Sequence, residues 1–343
     1  IISTVNTQKR LDILLFCLLA FISVIGLHCA KQNYTGFGFG GQTPYYEGQH
    51  DGTLLPRVRA YGIYSGPNEV GTIASVGFIL GLYLIRRHKA NPLFLVPGVA
   101  AVVLFTNVLF WTGSRGAIVM GLAGVAVLLV SRFQRLFMMF LAVSPAIAVV
   151  FAKVAGGRFS TIGGEGSAYK RIRAITESLR VFKRNPLFGI GRDRVYDAID
   201  LKMPPHNSFV QMAAETGLLG LCFYVGTFAL AFMSLQYVQR GRPDDKEDRI
   251  AIIQANTLIS ICAIMAVTAF FQNRPYAPDM YCILATGGAF AMISVKQFGK
   301  ENLPSYFTSD FFKGKGVQFL LYCGLVTITV LYATTRFYWV FFK

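Results

Sequence analysis

The feature that leaves this chain the fewest folds is a series of apolar blocks, nearly free of charge, close to the roughly 20 residues a helix needs to cross hydrocarbon. They fall at residues 11–29, 70–85, 92–111, 114–130, 136–151, 208–235, 250–270, 278–295 and 317–335. Inside a bilayer each backbone polar group must find its partner within the segment, so blocks of this length read as helices. The expectation is an all-α polytopic membrane protein with about nine transmembrane helices, residues 1–343 forming one integral membrane domain. A soluble core is excluded by composition: 54% of the 343 residues are hydrophobic, 15% are charged and the mean hydropathy is +0.49.

Basic residues punctuate the blocks. Lys9 and Arg10, the run Arg86–Lys89, Arg132 and Arg135, residues 236–249 and residues 296–315 all fall on one side if nine spans alternate, as expected for cytoplasmic connections. This asymmetry accounts for much of the +16 net charge without a nucleic-acid partner. The six cysteines lie mostly inside apolar blocks and read as small hydrophobes. The four histidines form no metal-binding motif, so neither metal nor cofactor is expected. The chain opens on Ile1 with a very short polar stretch and no evident cleavage site near residues 20–30, an expectation of upstream sequence removed. Between blocks eight and nine a short interfacial helix is expected at residues 307–312.

One connection breaks the charge pattern. Residues 152–207, on the side opposite the basic loops, carry eleven Lys and Arg against five Asp and Glu from Lys153 to Lys202. A long loop can cross despite its charge, but the excess calls for a reason, and an anionic ligand such as a diphosphate is the simplest. Within it Ile172, Ile175, Leu179 and Phe182 recur at helical spacing, with Lys170, Arg171, Arg173, Arg180 and Lys183 on the other face. This predicts an amphipathic helix over residues 167–182 lying along the membrane–water interface. Attraction to anionic headgroups and binding of a lipid diphosphate would use the same cations. Residues 185–191 (Asn-Pro-Leu-Phe-Gly-Ile-Gly) then end the helix.

Other residues point to the same compartment. Arg115 opens block four among Gly113, Gly116 and Ala117; it either snorkels to the interface or meets an anion. His206 follows Pro204 and Pro205 at the mouth of block six, where an imidazole neutral near pH 7 can take a proton from an attacking hydroxyl or simply bind water. Asn207 or Ser208 suits a helix cap. Gln211 and Glu215 share their helical face, and a carboxylate so deep in an apolar helix needs a partner, for which Arg115 or a loop arginine is the expectation. Arg57 and Arg59, with Pro67 and Asn68 at the start of block two, and Arg274 in a later turn lie on the same side.

Four ordered stretches resemble the O-antigen ligase and polysaccharide polymerase family of bacterial envelope enzymes. They are Arg59–Gly62–Pro67–Asn68, Thr112–Gly113–Ser114–Arg115–Gly116–Ala117, Arg171 fifteen residues before Pro186–Gly191, and His206–Asn207 with Glu215–Gly220. Together they cover about half the chain. The resemblance implies a GT-C-like, multi-pass enzyme of the bacterial inner membrane, independent of metal, with residues 152–207 as a large periplasmic catalytic loop. It implies a glycan donor on undecaprenyl diphosphate and a glycan or lipid acceptor, among membrane lipids and other polysaccharide assembly proteins. Carried over, Arg115 and Arg171 hold the diphosphate and His206 activates or positions the acceptor hydroxyl. Arg59, Asn68, Arg173, Asn207, Glu215 and Arg274 are candidate donor-binding residues. Ile175 stands where the family often has an aromatic residue, and nine spans against the family's usual ten to fourteen point to absent N-terminal helices. The reaction reads as polymerisation or ligation. The alternatives are a transporter or flippase of lipid-linked oligosaccharide, and a noncatalytic scaffold.

Overall fold

The computed structural model describes residues 4–48, 54–89, 91–129, 167–239, 246–298, 318–319 and 321–329. The expected block at 136–151, the short helix at 307–312 and much of the block at 317–335 lie outside these. In chain order the elements are α1 (Gln8–Thr35), β1 (Tyr45–Gly48), β2 (Leu54–Arg57), α2 (Pro67–Arg87), α3 (Pro92–Trp111), α4 (Arg115–Leu129), α5 (Ser167–Arg184), α6 (Val195–Ala198), α7 (Ser208–Gln239), α8 (Lys246–Phe271) and α9 (Pro278–Phe298). Short 3₁₀ turns occupy Phe39–Gly41 and Gly62–Tyr64.

The fold is mostly helical, as expected, with one small hairpin in which β1 and β2 pair antiparallel, Tyr45 opposite Arg57 and Gly48 opposite Leu54. Among the described residues, five helical segments are long and apolar enough to cross a membrane. They are Gln8–Thr35, Pro67–Arg87, Pro92–Trp111, Ser208–Gln236 and Arg249–Phe271, with α4 apolar but shorter.

Helix ends follow local chemistry. Asn91 accepts from Leu93 N at 3.0 Å and Pro92 opens α3, a cap followed by a residue whose missing N–H would have had no helical partner. α2 begins at Pro67 with Glu69 in its first turn and Arg86 and Arg87 in its last, the charge order that complements the helix dipole. Gly36, at φ +79°, closes α1 by donating to Gln32 O at 3.0 Å.

The residues group into two compact units. The first comprises Ile1–Ser131, Ala231–Thr268 and Ala277–Asn302. At its centre α2 buries Val70, Ile73, Val76, Ile79 and Leu80. Lipid supplies little hydrophobic drive between helices, so close packing through small residues has to hold them. A Cβ on Gly77 would come within 2.5 Å of the Phe105 ring, and Cβ atoms on Gly81 and Gly98 would each meet the other's carbonyl oxygen at 3.1 and 3.2 Å. At one end of the unit Asp12 gathers three helices, accepting from Tyr83 OH, from Arg87 Nη2 at 3.1 Å and from Gln254 Nε2 at 2.7 Å.

The second unit comprises Arg132–Leu230, Ala269–Tyr276 and Leu303–Lys343. Its core joins Ala174 and Val181 of α5, Val195 of α6 with Ile199 just after it, and Ala214 of α7, with Ile190, Leu201 and Met203 packed against it. The apolar face of α5 is therefore met by protein along part of its length.

Candidate functional site

α5 delivers Arg171 and Arg173, and their surroundings separate them. Arg173 Nε donates to Glu177 Oε1 at 2.7 Å, one turn on, and its Nη2 lies 3.9 Å from Asp200 Oδ2. Arg171 is exposed, and its charge acts on His206. This is the sequence-predicted pair that the second unit brings together.

His206 sits half-buried at the end of the Pro204–Pro205 segment, with φ +49°. A residue with a Cβ pays a strain of order 1–3 kcal/mol in this left-handed region, a conformation that concentrates at functional sites. Burial, and then the positive charge of Arg171, push the imidazole down from 6.5 to about 4. At neutral pH the ring is uncharged, and a neutral imidazole has one ring nitrogen able to take a proton.

Asn207 turns that segment into α7. Its Oδ1 accepts from Val210 N at 3.0 Å, and its Nδ2 donates to Phe270 O at 3.3 Å, in the last turn of α8. Ser208 Oγ donates to Gln272 O at 2.7 Å and accepts from the main-chain N–H of Arg274 at 2.9 Å. Asn207 and Arg274 thus enter the site through its framework, fixing the backbone beside His206. Phe209 packs at a tilt against Phe270, with centroids 4.7 Å apart, and completes the attachment.

Glu215 is 2% exposed. Its two oxygens accept from Gln211 Nε2 at 3.1 Å and from Tyr276 OH at 2.7 Å. Those described partners are not the arginine that the sequence suggested. A cation still enters the network one step out, because the Arg192 guanidinium lies 4.7 Å from the Tyr276 ring centroid. Burial and the Glu215 hydrogen bond raise the Tyr276 hydroxyl well above its ordinary range, keeping it a donor. Tyr276 is 61 residues from Glu215, and nothing in the sequence marks their pairing.

The turn at residues 185–191 meets α7 backbone to backbone. Ile190 N donates to Ala214 O at 3.1 Å, Gly191 N to Glu215 O at 2.9 Å, Leu218 N to Pro186 O at 2.7 Å and Leu219 N to Leu187 O at 3.4 Å. α7 breaks there at Gly217 (φ +68°, ψ −166°), releasing the carbonyls that the turn takes up. The two stretches read separately in the sequence are halves of one joint.

In the first unit, Asn68 Oδ1 accepts from Ser114 Oγ at 2.7 Å, and Ser114 Oγ in turn accepts from Ala117 N at 3.2 Å as the cap of α4. Arg57 Nε donates to Thr112 O at 2.6 Å and its Nη1 pairs with Glu47 at 2.9 Å. Arg59 donates from its main-chain N to Gln32 Oε1 at 2.8 Å and from Nε to Thr43 O at 2.9 Å. Asn68 and Arg59 are thus held within the unit's framework. Arg115 is the first residue of α4 and exposed. At the positive end of a helix a guanidinium adds to the local positive potential instead of offsetting it.

No curated protein matches the chain. Just over a third of it, residues 100–225, matches the family model described as O-antigen ligase, a range that contains Arg115, Arg171, the 185–191 turn, His206 and Glu215. Over that range the chain is similar to the O-antigen ligase family, and the long apolar helices among the described residues suit a multi-pass membrane protein.

Proposed function

We propose that the protein is a glycosyltransferase of the bacterial inner membrane that moves a glycan from undecaprenyl diphosphate to an acceptor hydroxyl on the periplasmic side. Polymerisation of an O-antigen or exopolysaccharide is favoured over ligation, since no feature of the chain matches a lipid A core acceptor. The observation that carries the reading is the match of residues 100–225 to the O-antigen ligase family model, a range that holds exposed Arg171 and half-buried His206.

The acceptor O–H attacks the anomeric carbon, its proton passes to the His206 ring nitrogen, and the bond from that carbon to the diphosphate oxygen breaks. Undecaprenyl diphosphate leaves with the bonding electrons. Arg171 stabilises the charge that grows on the leaving oxygen, an electrostatic contribution of ~3 kcal/mol or about two orders of magnitude in rate. A bound diphosphate also offsets the Arg171 charge that depresses His206, so the imidazole gains basicity when donor is present. Arg115 is assigned the same donor-holding role on its family motif. Asn207, Glu215 and Arg274 are positioning residues, and Arg59, Asn68 and Arg173 support donor binding through the backbone they hold.

The flippase reading gains little from the break in α7. Its break is filled by the 185–191 turn, whereas transporter half-helices leave unwound backbone to face a substrate.

Reconstitution of the full-length protein with its lipid-linked glycan and acceptor tests the proposal. Arg171→Ala and His206→Ala are expected to insert normally and lose most product. Normal turnover in both variants would refute the assignment. Longer lipid-linked glycan identifies a polymerase, and glycan on a new carrier a ligase.

A further inference from the structure

We infer that the tip of the 185–191 turn is a membrane wedge, seating Leu187 and Phe188 among the lipids at one boundary of the hydrocarbon. Leu187 is 63% exposed and Phe188 73%. Neither is loosely held: Leu187 O accepts from Leu219 N, Pro186 O from Leu218 N, and Ile190 N and Gly191 N donate to α7 on the far side of the tip. Two large apolar side chains are thus fixed outward by main-chain bonds on both flanks.

What covers them follows from the helix they are bonded to. α7 is a candidate membrane span running to Gln236. From its break at Gly217, residues 218–236 at ~1.5 Å each rise to about 28 Å, close to the hydrocarbon thickness. The break therefore falls at a hydrocarbon boundary, and Leu219 begins the crossing. Leu219 and Phe223, one turn apart on that crossing, are 52% and 59% exposed, as a lipid-facing strip would be. The Leu219–Leu187 bond sets the tip beside the upper end of this strip. Exposed Arg180 and Arg184 of α5 stand on the chain just before the tip, at the level where anionic headgroups reside. Apolar tip and lipid-facing strip adjoin at the Leu219–Leu187 bond, basic residues precede the tip in the chain, and the partner that suits all three is the bilayer itself. The inference rests on α7 as a membrane span and not on the proposed chemistry.

The test places a single tryptophan in full-length protein carrying Trp111→Phe and Trp339→Phe, the chain having two tryptophans. Phe188→Trp is compared with Phe223→Trp in α7 and with Tyr196→Trp, at an exposed α6 position eight residues on from Phe188. Each variant is reconstituted in vesicles of phosphatidylcholine and phosphatidylglycerol whose acyl chains carry bromine either near the headgroup or near the methyl end. Phe188→Trp is expected to lose fluorescence to bromine near the headgroup, Phe223→Trp to lose more to deeper bromine than Phe188→Trp does, and Tyr196→Trp to lose little to either. Quenching of Phe188→Trp no greater than that of Tyr196→Trp, with Phe223→Trp quenched, would overturn the wedge. Glycan transfer by the same vesicles is scored separately, so a failed wedge and a failed enzyme assignment are told apart.

Discussion

Replacing Gly217 with alanine isolates the joint between the 185–191 turn and α7. Gly217 has φ +68° and ψ −166°, a combination open essentially to glycine alone, so a Cβ there costs about 1–3 kcal/mol before any contact is counted. That Cβ would also stand 2.3 Å from both the carbonyl carbon and oxygen of Leu187 and 2.5 Å from Phe188 N. All three are backbone atoms, so no side-chain rotation relieves the overlap and the turn must move away from the helix. Moving it breaks Leu218 N to Pro186 O and Leu219 N to Leu187 O, each worth about 1 kcal/mol net. Strain and lost bonds together come to roughly 4 kcal/mol, or about a thousandfold in the open-to-closed ratio of the turn. Gly191→Ala is the matched control. Its φ is +98°, but its Cβ would find nothing nearer than Arg194 Cγ at 3.6 Å, leaving backbone strain of about 1–3 kcal/mol and no clash. Hydrogen exchange on the full-length protein, read at the amides of Leu218 and Leu219, is expected to speed up far more in Gly217→Ala than in Gly191→Ala. Glycan transfer should fall in the same order. Equal exchange rates in the two variants would refute the interlock.

Four further outcomes follow from the site. Because the Arg171 charge helps lower His206, Arg171→Gln should raise the imidazole pKa above about 4 while burial, the larger cause, keeps it below 6.5; a pH titration of the labelled ring showing no upward move would contradict the coupling. For stability the sign is fixed by the same shift: the unfolded chain takes up the His206 proton near pH 6.5 and the folded one only near 4, so this group's contribution falls as pH drops through that window. His206→Gln should flatten the corresponding part of the unfolding profile. Tyr276→Phe removes the 2.7 Å donor from buried Glu215 and should cost about 1–3 kcal/mol in thermal unfolding; an unchanged midpoint would mean that Glu215 does not depend on it. Asn68→Ala takes away the acceptor of Ser114 Oγ and is expected to destabilise by about 1 kcal/mol without affecting His206, checked by unfolding together with the His206 titration.

The helix pattern was legible where local chemistry decides it. The third apolar block and α3 share the bounds Pro92–Trp111, because Asn91 and Pro92 cap one end and the Thr112–Gly113 turn closes the other. The amphipathic helix at 167–182 likewise appears as Ser167–Arg184. What the pattern could not carry was pairing. Arg171 and Arg173 look alike on one basic face, yet it is the second of them that pairs with Glu177 one turn on and with Asp200. The need of Glu215 for a partner was readable from its depth in an apolar helix. That the partner is a phenol 61 residues away was not. The joint between the turn and α7 was hidden for a deeper reason. Its four hydrogen bonds run between main-chain groups, which every residue has, so only the glycines at 189 and 217 hint at it.

That joint bears on the chemistry through the distance it maintains. An imidazole and a guanidinium held together repel whenever the imidazole is protonated, so the arrangement persists only if other contacts hold α5 and the start of α7 in place. The apolar cluster of Ala174, Val181, Val195, Ile199 and Ala214 does this on one side. On the other, the turn that ends α5 is bonded to the carbonyls of Ala214 and Glu215, within three turns of His206. Folding free energy is thereby spent on keeping His206 uncharged beside a fixed cation, and the left-handed backbone at φ +49° adds to that cost. An anion bound at Arg171 would cancel the repulsion and return part of the cost as affinity. On the proposed reaction, a diphosphate donor at Arg171 would offset the smaller of the two effects that depress the imidazole, burial being the larger, so part of its basicity would return when donor is bound.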